Sequence, residues 1–133
     1  MCSYNYTSLG EQPEAPLIEI QITSLEATNP KTVSWTAFLD TGSDCTLVPL
    51  DALNRIQAKI ASSKVDVFGV GGKKSTVYPY YVAFTMDSLT LPLVRVYGCP
   101  IQDTNGIVIV GRDLLNQYCI LFDGPKHTFT FIY

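Results

Sequence analysis

The sequence predicts an all-β fold, closed into a barrel-like sheet and carrying one or two short helices. The first observation is alternation: apolar and polar residues take turns along residues 17–23 and again along 33–39, as in half-buried strands. The second is the density of turn signals, such as Asn29-Pro30 and Asn105-Gly106, between short apolar runs. Many short strands separated by frequent turns are typical of barrels and sandwiches.

Length and composition set the class of protein. A chain of 133 residues fits a single domain, and a domain of this size buries roughly two-thirds of its unfolded surface, which is enough for a core. The hydrophobic fraction of 47% and the charged fraction of 16% are typical of a globular chain. The net charge of −3, without a basic stripe, argues against a nucleic-acid partner.

Cellular setting follows from what the sequence lacks. No apolar run is long enough to span a bilayer and no signal peptide is recognisable, so we expect a cytoplasmic protein with no membrane partner. The spacing of Cys2, Cys45, Cys99 and Cys119 matches neither a zinc site nor a redox motif. We therefore expect reduced thiols, no metal and no cofactor.

The chain divides into an arm and a domain. Residues 1–16 are polar, contain Pro13 and Pro16 and lack periodicity, which predicts an N-terminal arm that does not begin as a strand. The domain covers residues 17–133. After its first two strands, Pro49 is a suitable start for a short helix, with Leu50 and Leu53 at helical spacing. The remaining predicted elements are strands at 64–68, 77–86, 91–97, 107–110, 119–122 and 128–133, with a brief helical turn at 111–116.

The first candidate for chemistry is Asp40-Thr41-Gly42-Ser43. An apolar strand delivers one carboxylate into a turn of small residues, and a second apolar run follows at once. A three-residue Asp-Thr-Gly match recurs by chance in polar turns, so a solvated turn is the simpler alternative. The apolar strands on both sides favour a functional loop.

Two further segments are candidates. The apolar pair before Gly111-Arg112-Asp113 ends a strand at a glycine, where another backbone can approach closely. The run Gly69-Val70-Gly71-Gly72 is rich in glycine and lies between two predicted strands, which predicts a hairpin tip. Its glycine spacing is not that of a phosphate-binding loop. The alternatives are an ordinary strand-to-helix junction and a surface hairpin without a role.

Together and in this order, the three segments resemble the retropepsin-like aspartic protease family, over almost the whole of residues 17–133. The resemblance implies a closed barrel-like retropepsin fold whose glycine-rich hairpin, Gly69, Val70, Gly71 and Gly72, is the flap that covers substrate. It implies that Asp40 is the catalytic carboxylate, supported by Thr41, Gly42, Ser43, Asp44 and Arg112. In that family pattern Thr41 braces the two loops across a two-fold axis, the Gly42 carbonyl receives substrate, and Asp44 pairs with Arg112.

A single Asp-Thr-Gly motif implies a homodimer. Hydrolysis by this route needs two carboxylates that share one proton, and two-fold symmetry supplies the second Asp40. Residues 128–133 alternate at a chain terminus, which suggests an edge strand that pairs with a partner copy. The alternative is a terminal strand paired within its own sheet.

The predicted function is that of an aspartic endopeptidase. It hydrolyses extended, largely hydrophobic peptide segments with a water activated by the Asp dyad of a homodimer. The alternative is a non-catalytic retropepsin-like domain that mediates dimerisation or binds peptides, because a fold does not dictate activity.

Overall fold

A computed structural model describes residues 2–68 and 72–133. Within these residues the chain forms strands and two short helices, in the order β1 Cys2–Asn5, β2 Leu17–Thr23, β3 Thr32–Leu39, β4 Leu47–Pro49, α1 Leu50–Arg55, β5 Val65–Phe68, β6 Lys74–Met86, β7 Leu89–Cys99, β8 Val108–Val110, α2 Arg112–Leu115, β9 Ile120–Asp123 and β10 Thr128–Phe131. A 3-10 turn at Ile101–Thr104 precedes β8. The predicted all-β class with short helices is confirmed.

Six strands close into a barrel. Their order is β2-β3-β8-β4-β7-β6, and pairing between β2 and β6 completes the ring. The strands β3 and β8 run parallel, as do β4 and β7, whereas β2–β3 and β6–β7 are antiparallel. Within residues 2–68 and 72–133, the fifth strand, β5, pairs only with β6 and extends the sheet outside the ring. The predicted closed, barrel-like sheet is therefore present.

The interior of the barrel is filled by apolar side chains because its strands alternate as the sequence predicts. In β2, Ile18, Ile20 and Ile22 point inward and are at most 7% exposed, while the residues between them face solvent. Each such side chain contributes about 1.5–3 kcal/mol when fully buried. The same alternation in β6 buries Val82, Phe84 and Met86 against them.

Both helices begin where the sequence predicts. Pro49 caps α1, whose Ala52 and Leu53 are fully buried. Gly111 caps α2, which buries Leu114 and Leu115. Among the described residues, no helix is long and apolar enough to cross a membrane.

A second, three-stranded sheet corrects two expectations about the chain ends. Residues 2–5 form β1, although the sequence predicted no strand there, and β1 pairs with β10. Because β9 covers the other side of β10, β10 is a central strand and not the edge strand predicted at residues 128–133. The alternative, pairing within the same chain, describes this structure.

Aromatic packing explains why β1 forms. The Tyr4 ring stacks on Phe129 at a centroid distance of 5.3 Å and meets Phe131 edge-on at 5.9 Å. These contacts join residues at opposite ends of the chain, so the local sequence around Tyr4, which is mostly polar, does not reveal them. The next residues stay close to the sheet, since the Tyr6 amide donates to the His127 carbonyl oxygen at 2.7 Å. The boundary between arm and domain stays a prediction.

Asp87, in the turn between β6 and β7, fastens this sheet to the barrel. Its carboxylate accepts hydrogen bonds from the hydroxyls of Tyr4 and Tyr133. Partial burial by itself would raise the pKa of Asp87, but the hydrogen bonds from Tyr133 and Tyr4 bring that pKa below its ordinary value. The hydrogen bond to Asp87, followed by burial, raises the pKa of Tyr4 to about 12.

Candidate active site

Asp40 stands at the end of β3, inside a turn that its own side chain shapes. The Asp40 amide donates to the Val110 carbonyl oxygen at 2.9 Å, so the β3–β8 ladder of backbone hydrogen bonds extends as far as Asp40. The Gly42 amide donates to Asp40 Oδ1 at 2.9 Å, and the Ser43 amide donates to the Asp40 carbonyl oxygen at 3.2 Å. An aspartate that accepts a bond from the amide two residues later stabilises a tight turn. The carboxylate is thus held, half-buried, at a fixed place on the sheet.

The loop of residues 40–46 packs directly on the junction between β8 and α2. The Arg112 amide donates to the Ser43 carbonyl oxygen at 2.8 Å. Gly111 allows this contact, because a Cβ there would overlap the backbone of Cys45. The predicted close approach at Gly111 is therefore present, and its partner is the loop that carries Asp40.

The predicted ion pair between Asp44 and Arg112 is formed. The guanidinium also donates from Nη1 to the Thr41 carbonyl oxygen at 2.7 Å, so one side chain ties both halves of the loop. The Asp44 side chain is 89% exposed. An exposed pair contributes little to stability, so the ordering of the loop by Arg112 is its more important effect.

Beneath the loop, the buried Thr46 joins Gly111 to the exposed Asp113, and Thr46 was not among the predicted site residues. Thr46 is fully buried, and its hydroxyl donates to Asp113 Oδ1 at 2.7 Å while accepting from the Gly111 amide at 3.1 Å. The Asp113 carboxylate also accepts from the amides of Thr46 and Leu114. The available signal was a threonine beside a buried apolar run, together with an aspartate two residues after Gly111.

Two cavities adjoin the loop and meet at Leu47. The first, of about 620 Å³, lies between the loop and β5 and is lined by Asp40, Gly42, Ser43, Asp44, Cys45, Leu47, Val65, Asp66, Val67 and Tyr97. The second, of about 470 Å³, is lined on the barrel side by Phe38, Leu47, Asp103, Thr104, Asn105, Ile107 and Ile109, and on the other side by residues of the segment 9–17. Asp40 therefore borders a mostly apolar depression.

Trp35 supports the wall of the second cavity. Its indole nitrogen donates to the Gly106 carbonyl oxygen at 2.8 Å, and the Arg55 guanidinium lies 5.1 Å from the ring centroid. Gly106 has a φ of 82°, a conformation that glycine adopts without strain. The hydrogen bond from Trp35 thereby anchors the loop that contains Asn105, Gly106 and Ile107 to β3.

The predicted flap lies only partly within the described residues. Phe68 of β5 faces Lys74 of β6 in the ladder, so the segment between them joins two paired antiparallel strands. Gly72 has a φ of 74°. Gly69, Val70 and Gly71 lie outside the described residues.

The predicted loop residues thus come together at one place. Asp40, Thr41, Gly42, Ser43 and Asp44 form the loop, and Arg112 reaches it from α2. The Cys45 thiol lies beside them, and burial, with a smaller contribution from the Asp113 charge, raises its pKa. This thiol is therefore a poor nucleophile.

Known proteins share this architecture. No protein-family model and no curated protein matches the chain. Among solved structures, a retropepsin-like aspartic protease from Rickettsia conorii superposes with a TM-score of 0.67 at 12% identity, covering 99% of this chain and 91% of that one. The EIAV protease in complex with the inhibitor HBY-793 gives a TM-score of 0.55 at 20% identity, covering 84% and 93% of the two chains.

A third similar structure is the foamy viral protease-reverse transcriptase in complex with an RNA/DNA hybrid. It gives a TM-score of 0.52 at 17% identity and covers 78% of this chain but 12% of that one. At these identities the likeness concerns the fold. The family resemblance carried by the sequence motifs is confirmed at that level: the chain has the fold of the retropepsin-like aspartic proteases.

Proposed function

We propose that this protein is an aspartic endopeptidase that cuts extended, largely hydrophobic peptide segments. The observation that carries the proposal is Asp40, held at the end of β3 by the β8 ladder and by the Gly42 amide, at the border of an apolar depression. The retropepsin-like fold of the chain supports it.

The chemistry needs a second carboxylate, which we assign to Asp40 of another copy. Of two carboxylates a few ångströms apart, one stays protonated because like charges repel, as is the rule in aspartic proteases. The ionised one takes a proton from water as the water attacks the scissile carbonyl, and the protonated one hydrogen-bonds the carbonyl oxygen. No covalent intermediate forms, so no side-chain nucleophile is required.

The depression fits an extended peptide. Val65 and Val67 of β5 face the loop across the first cavity, and Phe38, Ile107 and Ile109 line the second. Apolar side chains of a substrate would fill these cavities in turn, while its backbone bonds to loop and hairpin amides, as in strand addition. In this proposal Gly42 offers its carbonyl to the substrate, Thr41 braces the partner's loop, and the hairpin containing Gly69, Val70, Gly71 and Gly72 closes over the peptide.

The proposed setting is the cytoplasm. Cys2, Cys45, Cys99 and Cys119 are all free thiols, which suits a reducing compartment. Cys99 is buried, and its burial is the main reason that its pKa rises to about 11.

The test is cleavage of a hydrophobic peptide library at mildly acidic pH by the parent and by Asp40→Asn. We expect the variant to lose about 10²–10⁴-fold in kcat/KM, the usual contribution of a general acid–base group, while its unfolding midpoint changes little. Asp51→Asn, an exposed change of the same kind in α1 away from the cavities, is the matched control and should keep full activity.

The alternative is a domain that binds peptides without cutting them. Equal cleavage by the parent and Asp40→Asn would overturn the proposed role of Asp40. Peptide binding without any cleavage, unchanged in Asp40→Asn, would favour the non-catalytic domain.

A further inference from the structure

The segment 7–15, which precedes β2, forms a closed loop on the outer side of the second cavity. Its base is closed by Thr7 and Ala15, whose amides each donate to the other's carbonyl oxygen, at 3.0 and 2.8 Å. A tight turn within the segment brings the Gln12 amide to 3.3 Å from the Leu9 carbonyl oxygen. The segment is therefore folded on itself, and it presents its side chains from fixed places.

The end of the segment that leads into β2 is bonded beside the proposed catalytic residue. The Leu39 amide, one residue before Asp40, donates to the Pro16 carbonyl oxygen at 3.1 Å. Pro16 directly follows the segment 7–15, so the segment is attached to the strand that carries Asp40.

His127 holds the segment from the side of the three-stranded sheet. The Tyr6 amide donates to its carbonyl oxygen at 2.7 Å, and the two rings stack at a centroid distance of 6.1 Å. The Glu14 carboxylate lies 2.6 Å from His127 Nδ1. Because the barrel and the sheet both hold it, the segment 7–15 is a wall of the second cavity.

Leu9 is the largest apolar side chain that this wall contributes. It is half-buried, although Ser8 and Gly10 on either side of it are exposed. It lines the second cavity together with Ile107 and Ile109. Within the described residues, the partly buried apolar side chains that pack on the barrel core do not include Leu9. Its apolar surface therefore belongs to the cavity.

We propose that Leu9 is a specificity-determining residue, which sets how large an apolar side chain of the peptide the second cavity accepts. The inference rests on the proposed function, because the peptide is the one that Asp40 is proposed to cut. The second cavity, of about 470 Å³, meets the cavity beside Asp40 at Leu47. A peptide that lies along the first cavity thus places a neighbouring side chain in the second, against Leu9.

The charges around the second cavity disfavour one class of side chain. Among the described residues, the charged side chains that line it are Glu14 and Asp103. A carboxylate of the peptide would meet like charges there, and like charges brought together select against a ligand. The side chain that fits is bulky, apolar and uncharged.

Cleavage profiles of the parent, Leu9→Ala and Leu9→Phe test the role of Leu9. Mass spectrometry on a peptide library with varied residues around the cut gives kcat/KM for tryptophan peptides relative to leucine peptides. Leu9→Ala enlarges the cavity and should raise this ratio about 10-fold, the low end of what one methylene group is worth in an apolar subsite. Leu9→Phe should lower the ratio by a similar factor, and a mere loss of stability would not change the ratio in opposite directions.

The matched control is Leu93→Ala. Leu93 lies in β7, is 63% exposed and lines neither of the two cavities. The same leucine-to-alanine change there should leave the cleavage profile of the parent unaltered.

Binding measured without cleavage supplies the second readout. Calorimetric titration of Asp40→Asn with one leucine peptide and one tryptophan peptide gives the ratio of their Kd values. Leu9→Ala added to Asp40→Asn should shift this ratio toward the tryptophan peptide by about the same factor as in cleavage.

The outcomes separate this inference from the proposed function. A parent that cleaves, while both Leu9 variants keep its profile or lose every peptide equally, overturns the role of Leu9 alone. Peptides that bind with a preference set by Leu9 but are never cut by the parent support that role and overturn the protease. If no peptide is cut or bound, both are overturned.

Discussion

The loop around Asp40 and the three-stranded sheet of β1, β10 and β9 are held by different forces. The loop is fixed by hydrogen bonds: backbone amides, the Thr46 hydroxyl and the Asp113 carboxylate converge within a few residues of Gly111. The sheet is held by the packing of aromatic rings. Phe129 and Phe131 are almost completely buried, and the rings around them are those of Tyr4, Tyr118 and Phe122. The difference teaches that directional hydrogen bonds fix the positions of a loop, whereas buried area holds together a sheet made from the chain ends.

The largest expected effect lies in the sheet. Phe129→Ala should lower the free energy of unfolding by about 3–5 kcal/mol, since it leaves a cavity among four rings. Phe129→Leu, which keeps most of the volume, should cost less than about 1.5 kcal/mol. Urea unfolding of both variants measures this. Equal losses would mean that ring volume does not hold the sheet.

A smaller loss of stability is expected in the loop of residues 40–46. Thr46→Val keeps the shape of the side chain but removes the hydroxyl that joins Gly111 to Asp113, and it should cost about 1–3 kcal/mol. Thr46→Ser retains the hydroxyl and should lose less. Because the loop carries Asp40, we also expect kcat to fall in Thr46→Val more than its stability alone explains. A fully stable Thr46→Val would show that the hydrogen bonds are dispensable.

The smallest effect concerns Asp87, where the sheet meets the barrel. Its lowered pKa stabilises the fold above the ordinary carboxyl pKa, and this contribution disappears as pH falls through the lowered value. Asp87→Asn should therefore cost about 1 kcal/mol at neutral pH, a value reduced by solvent exposure, and the difference from the parent should shrink in acid.

Tyr4, which donates a hydrogen bond to Asp87, allows the same variant to be tested at alkaline pH. The raised pKa of Tyr4 stabilises the fold below pH 10, and that contribution is lost as pH passes about 12. Ultraviolet titration should show Tyr4 ionising earlier in Asp87→Asn than in the parent. The control is the double variant Asp87→Asn with Tyr4→Phe, in which this early-ionising component should be missing.

The barrel and the loop could be predicted because their signals are local. Alternation marks each strand within a few residues, and Asp40-Thr41-Gly42 with Gly111-Arg112 forms a recognisable pair of motifs. The sequence predicts a close approach at Gly111 but does not name the partner, which the structure shows to be the backbone of Cys45.

The terminal sheet could not be predicted in the same way. β1 depends on Tyr4 meeting Phe129, a contact between chain ends that no local pattern encodes. Thr46 was missed because a single hydroxyl beside an apolar run gives no sign of its partner until β8 and β4 come together.

The anchoring of Trp35 to Gly106 gives this protein a built-in optical reporter. The chain contains one tryptophan, so its fluorescence comes from a single place. That indole is bonded to the loop that borders the second cavity, beside Asn105 and Ile107. Under the proposed function, movement of this loop as a peptide enters would alter the emission, and a change in tryptophan fluorescence on adding peptide, without any added dye, would test that proposal.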